Sequence, residues 1–115
     1  MTVKSISDAD FQDEVLRSDL PVFLDIYATW CPPCKIIAPI LDQLAGEFAD
    51  SVKIVKLNAE ESPSIASQYK VQGVPTLIGF VNGQEASRIV GAGSETALRA
   101  RLQELAAATT EAGAA

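Results

Sequence analysis

The sequence predicts an α/β domain in which a mixed β-sheet is covered by helices on both faces. Three observations carry this. Apolar, β-branched runs too short for helices lie at 22–27 and 52–57, each followed by a segment with helical signals. A strand, a two-residue turn and a second strand centre on Asn82-Gly83 and must pair antiparallel. The chain has 115 residues, 48% hydrophobic and 21% charged, the size and balance of one packed globule. A chain of this length buries roughly two-thirds of its unfolded surface, so it needs no metal or disulfide staple and its two cysteines are free for chemistry.

The elements follow in order. Ser7 is an N-cap candidate, with Asp10 three residues on, for a short acidic helix whose Phe11, Val15 and Leu16 recur at helical spacing. Pro21 opens Val22 to Tyr27, an almost unbroken apolar run that reads as a buried strand with Asp25 in its middle. After Cys31 to Cys34, the residues Ile36, Ile37, Ile40, Leu41, Leu44, Ala45 and Phe48 keep the period of an amphipathic helix, with a kink expected at Pro39. Val52 to Leu57 reads as the next strand, and Ser62-Pro63 as an N-cap with proline at the first helical position of a helix to about Tyr69. Thr76 to Val81 and Gln84 to Val90 are the hairpin strands. Gly91-Ala92-Gly93 ends the second, and Ser94 caps a last helix burying Leu98, Leu102 and Leu105. The domain is expected to span 1–105, with 106–115 a mobile Ala/Thr/Gly tail; its alanines equally permit a longer last helix.

Charge and composition exclude several function classes. Nine basic against fifteen acidic residues give 9 − 15 = −6, and the basic residues are scattered, which argues against nucleic acid and against an anionic membrane surface. With no histidine, imidazole-based hydrolytic sites and imidazole-rich zinc sites are excluded. The polar, acidic stretch from Met1 to Asp13 has no apolar core of a leader, and no run approaches a membrane span, so a cytoplasmic protein is expected, and nothing demands more than a monomer.

The chemistry centres on Trp30-Cys31-Pro32-Pro33-Cys34-Lys35, between a buried strand and a long helix. Two intervening residues let the sulfurs close into a small ring, and a helix N-terminus stabilises a thiolate at the first cysteine. Cys31 is the expected nucleophile and Cys34 the resolving thiol. A bare Cys-x-x-Cys also serves as half of a four-ligand metal site, but the chain holds no third cysteine and no histidine, so no metal is expected. Asp25, six residues before Cys31, reads either as a carboxylate on a solvated face or as a buried acid able to take the Cys34 proton. Lys56 either offsets that charge or faces outward on an alternating strand. Gly73-Val74-Pro75-Thr76 reads as a turn into a strand, or as a cis proline beside the cysteines where the Val74 backbone pairs with an extended substrate.

Taken together, Asp25, Trp30-Cys31, Pro33-Cys34-Lys35, Pro39, Lys56-Leu57-Asn58, Gly73-Val74-Pro75-Thr76, Asn82-Gly83 and Val90-Gly91-Ala92 resemble the thioredoxin family, over roughly Val3 to Leu105. The resemblance implies a five-stranded mixed sheet flanked by four helices. It implies a general protein-disulfide reductase with no bound cofactor, working through a redox-active Cys31–Cys34 disulfide on substrate proteins and recharged from NADPH by a thioredoxin reductase. Cys31 would attack, Cys34 would resolve, and Asp25 with Lys56 would handle the proton. Trp30, Pro32, Pro33, Val74, Pro75, Gly91 and Ala92 would form the substrate surface. Two positions depart from the family pattern: Pro32 replaces the usual glycine, and Tyr27 stands where tryptophan is frequent.

Two other readings are weighed against this one. A disulfide isomerase or oxidase tuned by Pro32 is disfavoured by the lack of a histidine between the cysteines, and a docking module indifferent to its thiols is disfavoured by an intact Cys pair. Pro32 removes one N–H from the loop, so the Cys31 thiolate is expected to be less stabilised and the pair at least as reducing as in a Gly-Pro loop. Pro32→Gly should therefore lower the Cys31 thiol pKa, read by the pH dependence of alkylation; an equal or higher value in the variant would contradict the expectation.

Overall fold

The structure, a computed structural model, describes residues 3–114, of which 109–114 are described by backbone alone. Met1, Thr2 and Ala115, the two ends of the stretches discussed above, lie outside the described residues. Five strands form one sheet: β1 (Lys4–Ile6), β2 (Val22–Tyr27), β3 (Lys53–Asn58), β4 (Thr76–Val81) and β5 (Gln84–Val90), in the order β1-β3-β2-β4-β5. β3 runs parallel to both β1 and β2, and β4 runs antiparallel to β2 and β5. The helical layers are a segment made of a 3-10 turn (Asp8–Asp10) and a π-helical turn (Gln12–Leu16), then α1 (Pro32–Glu47), α2 (Pro63–Gln68) and α3 (Glu95–Ala114).

Alternation along the strands divides the core in two. On one face Phe23 and Leu77 pack with Ile37, Leu41 and Leu44 of α1 and Leu98, Leu102 and Leu105 of α3. On the other, Leu24, Ile26, Val55, Leu57 and Ile78 pack with Phe11 and Val15 of the N-terminal helical segment and Ile65 of α2. Phe11, Tyr69 and Phe80 close this second core as a trio of tilted and edge-to-face rings with centroids 5.4–5.8 Å apart. β2 and β4 are buried on both faces, which is why their sequences are nearly continuous apolar runs.

Several elements differ from the sequence expectation in instructive ways. β1 has only three residues, with exposed Lys4 and Ser5 and one buried isoleucine, too short to show a period; its pairing with β3 defines it. β3 starts at Lys53 rather than Val52, and Asn58 extends it. Ser62 does stand at the N-cap of α2, but its side chain makes no capping bond. The Asp8 carboxylate accepts instead from the Ser64 and Ile65 N–H groups, both at 3.0 Å, so a distant residue supplies the cap. Asp10 accepts from the Ser7 N–H and hydroxyl, each at 3.0 Å, and Ala97 N–H donates to Ser94 Oγ at 3.1 Å.

Beyond Leu105, α3 continues through the alanines to Ala114. Each buried leucine contributes about 1.5–3 kcal/mol and anchors the first turns, whereas the later turns follow from the helix propensity of alanine. On the opposite side, Glu14 receives ion-paired hydrogen bonds from Lys4 and Lys53, which hold its carboxyl down to about 2 and tie the helical segment to β1 and β3.

The hairpin turn is fixed by Asn82 (φ 52°) and Gly83 (φ 79°), both left-handed as a two-residue turn of this kind demands. A Cβ on Gly83 would stand 2.9 Å from the Leu16 carbonyl oxygen. Gly83→Ala should therefore cost roughly 1–3 kcal/mol in urea unfolding, from the strained φ and the close approach together. A loss below a few tenths of a kcal/mol would contradict this account of the turn.

Candidate active site

Four strand ends meet at one end of the sheet. In register, Tyr27 at the end of β2 lies beside Asn58 at the end of β3, and Ile26 lies beside Thr76 at the start of β4. Thr76 in turn lies beside Val90 at the end of β5. The loop 28–31 leaves β2 here and enters α1, so the Cys-Pro-Pro-Cys sequence sits where the parallel strands terminate.

Cys31 is the N-cap of α1 and Pro32 and Pro33 occupy its first positions, where a missing N–H costs nothing. The Cys34 N–H donates to Cys31 Sγ at 3.2 Å, and the Lys35 N–H to the Cys31 carbonyl at 3.3 Å. With neither proline carrying a donor, the sulfur of Cys31 meets the helix N-terminus through the Cys34 N–H. Cys31 and Cys34 are joined by a disulfide, with their Cα atoms 5.3 Å apart. Both are buried, at 2% and 4% exposure, so exposure does not distinguish the two sulfurs in this oxidised form; they differ in position, Cys31 at the N-cap and Cys34 within the first turn. Ala28, Tyr27 and Val74 pack around the pair.

Asp25 lies on β2, 4% exposed, and its Oδ1 has no hydrogen-bond partner. Removal from water pushes its carboxyl up to about 7, against the opposing pull of the Lys56 ammonium. Lys56 is its register neighbour on β3, half-buried, with Nζ 5.7 Å from the centroid of the Tyr27 ring. A cavity of about 280 Å³ is lined by Asp25, Cys34, Lys56, Tyr27, Ala28, Thr29, Lys35 and Ala38. The carboxyl, the second cysteine and both lysines thus share one space, and Asp25 is not the solvated carboxylate of the plainer reading. The Tyr27 hydroxyl is raised as well, by desolvation first and then by Glu61 and Asp25.

The outer face is apolar. Trp30 is 67% exposed, Pro32 and Pro33 are exposed, and Ala92 is exposed beside half-buried Gly91 and Val74. The Val74–Pro75 bond is cis, as one of the two readings of that loop required. Its position is fixed by the Gly91 N–H donating to the Pro75 carbonyl at 2.8 Å and the Thr76 hydroxyl donating to the Gly73 carbonyl at 2.7 Å. Pro75 itself is buried. Among the described residues, no three cysteines or carboxylates are placed to hold a metal ion, and no helix is long and apolar enough to cross a membrane.

The structure therefore gathers Cys34, Asp25 and Lys56 on one cavity, with Cys31 joined to Cys34, while Trp30, Pro32, Pro33, Val74, Pro75, Gly91 and Ala92 belong to the strand-end loops and the first turn of α1 on the other side of the disulfide. Three surface features escaped sequence reading. Val90, 73% exposed at the end of β5, extends the apolar face and was masked by its strand-like context. Ile36, 67% exposed, passed as one of the apolar positions of α1; its place one residue before Ile37 puts it off the buried stripe. Glu60 accepts from both the N–H and hydroxyl of Thr29, and no local pattern joins residues 31 positions apart.

Comparisons with known proteins agree with this geometry. The thioredoxin family model matches residues 2–104. Thioredoxin 1 of Synechococcus elongatus is 46% identical over 94 residues, covering 82% of this chain and 88% of that protein. Thioredoxin of Haemophilus influenzae is 49% identical over 96 residues, covering 84% and 90%. Thioredoxin of a Synechocystis species is 43% identical over 99 residues, covering 86% and 92%.

A carboxyl near 7 when folded and near 3.8 when exposed binds more protons in the native state throughout the interval between these values. Stability must then fall as pH rises through that interval, and level off above about 7. Between pH 5 and 8, unfolding free energy should drop by a few kcal/mol on the order of 1.4 per pH unit affected, and Asp25→Asn should abolish that slope. A variant whose pH profile parallels the parent's would contradict the burial of an ionisable Asp25.

Proposed function

The chain belongs to the thioredoxin family and is a thiol-disulfide oxidoreductase of the protein-disulfide reductase kind, and we propose that Cys31 opens its substrate's disulfide while Cys34 and Asp25 complete the exchange. The observation that carries this is the asymmetry of the pair. Cys31 Sγ accepts the N-terminal Cys34 N–H of α1, while Cys34 lines the cavity that holds the unpartnered Asp25 carboxyl.

In the reduced protein the Cys31 thiolate attacks one sulfur of a substrate disulfide. A mixed disulfide forms and the first substrate thiolate leaves. Cys34 then loses its proton to the Asp25 carboxylate and attacks Cys31 Sγ, forming the Cys31–Cys34 bond and releasing the second substrate thiolate. Two electrons pass from the dithiol to the substrate, and the proton on Asp25 returns to the released thiolate or to solvent. A carboxyl near 7 suits this step, because it is partly ionised at neutral pH and basic enough to accept. Lys56, on the next strand, keeps part of the Asp25 population charged.

The apolar face formed by Trp30, Pro32, Pro33, Val74, Pro75, Gly91 and Ala92 would receive the substrate, whose extended backbone pairs with that of Val74. The expected partners are disulfide-bearing proteins and a thioredoxin reductase that returns electrons from NADPH. The protein would work in the cytoplasm as a monomer, its packed core ending at Leu105 while α3 itself runs on. The isomerase and docking-module alternatives have no observation in their favour.

Two variants test the assignment. Cys34→Ser should accumulate a mixed disulfide through Cys31 with a disulfide-bonded protein substrate, detected as a mass adduct, whereas Cys31→Ser should give neither adduct nor turnover. Asp25→Asn should slow the resolving step about a hundredfold, within the range of general-base removal, and leave adduct formation within a few-fold. Adduct formation through Cys34, or an unchanged resolving rate in Asp25→Asn, would overturn the assignment.

A further inference from the structure

We propose that Glu60 is a positioning residue for the Trp30–Cys31 turn, acting through Thr29. Glu60 follows β3 and Thr29 follows β2, and the carboxylate bridges the two loops: one oxygen accepts from the Thr29 N–H at 3.1 Å and from its hydroxyl at 3.0 Å. A charged acceptor taking two donors of one residue is a directional clamp.

The Glu60 end of the clamp is itself held. The Glu60 N–H donates to Asn58 Oδ1 at 2.8 Å, the Ser62 N–H donates to the Asn58 carbonyl at 2.9 Å, and the Ala59 N–H donates to the Tyr27 carbonyl at 2.8 Å. Asn58 is buried, so this loop is a fixed base. The turn 28–31 is different. Its own closing bond, Cys31 N–H to Ala28 carbonyl, is long at 3.4 Å. Glu60 thus supplies the stronger restraint on the segment that carries Trp30 and delivers Cys31 to the start of α1.

A second observation gives the clamp a consequence. Trp30, which follows Thr29, and Ala59, which precedes Glu60, both line a groove of about 200 Å³, together with Val74 and others of the 71–74 loop and Ala66 of α2; they form its two lips. Fixing Thr29 to Glu60 fixes the spacing of those lips. The clamp therefore acts on docking of a polypeptide at the Trp30–Val74 face rather than on the chemistry of the sulfurs. This rests on the docking face proposed above.

The experiment compares Glu60→Ala, Glu60→Gln and Trp30→Ala with the parent in steady-state reduction of insulin and of a small aromatic disulfide, 5,5′-dithiobis(2-nitrobenzoate). Loss of two charge-assisted bonds at a solvated site should raise KM for insulin about three- to tenfold in Glu60→Ala. The kcat for insulin and the rate with the small disulfide should stay at the parent's level. Glu60→Gln, whose amide oxygen still accepts both bonds, should restore KM. An unchanged KM in Glu60→Ala, an equal loss on both disulfides, or a Glu60→Gln variant as impaired as Glu60→Ala would overturn the proposal. Trp30→Ala separates the two failures: a raised KM there beside an unmoved Glu60→Ala sinks the clamp alone, and an unmoved KM in Trp30→Ala sinks the docking face with it.

Discussion

A single carboxyl group buried in the central strand sets the terms for this structure. Asp25 is enclosed by β3 and β4 along its flanks and by α1 above, and one of its oxygens finds no donor. Burying an ionisable group without full compensation opposes folding, so an apolar residue of similar size would stabilise the same core. The fold tolerates the group because the surrounding strands bury enough apolar surface to offset it. What the group gains is a proton affinity close to neutral pH, at a place where the second cysteine lines the same cavity.

The rest of the site follows from topology. Parallel pairing of β2 with β3 brings their carboxyl ends together, and antiparallel pairing of β4 with β2 brings the start of β4 to that same end of the sheet. The cis Val74–Pro75 bond therefore lies next to the loop that enters α1, although the two are more than forty positions apart in sequence. Pro32 and Pro33 open α1 without wasting donors, and Cys31 takes the cap position where the helix end is positive. The two sides of the disulfide are thus unlike. Outward lie exposed apolar side chains led by Trp30; inward lies a cavity with a carboxyl and two lysines.

Much of this was legible in the sequence because the strongest signals are local. The apolar runs at β2 and β4, the Asn82-Gly83 turn and the spacing of the cysteines each report on a few neighbouring residues. The burial of Asp25 was legible for the same reason, since its strand has no polar face to offer. What escaped depends on contacts far apart in the chain. β1 is three residues long and exists through its pairing with β3. Asp8 rather than Ser62 caps α2 across more than fifty positions, and Glu60 reaches Thr29 from another loop. Exposed Val90 and Ile36 carry the residue types of a core, so composition alone places them inside. The reach of α3 to Ala114 lies in an alanine-rich stretch, where the sequence carries helix propensity but no apolar period to mark an end.

The central claim is that the Asp25 carboxyl titrates near neutrality inside the folded, oxidised protein. The direct test is a carbon-13 NMR titration of its carboxyl resonance, with the oxidised Asp25→Asn protein identifying the signal. A midpoint near 7 is expected, reached from a protonated form that persists well above the ordinary range of aspartates. A midpoint below about 5 would mean that the group is solvated or paired like an ordinary aspartate, and the account of the site built on its burial would fail.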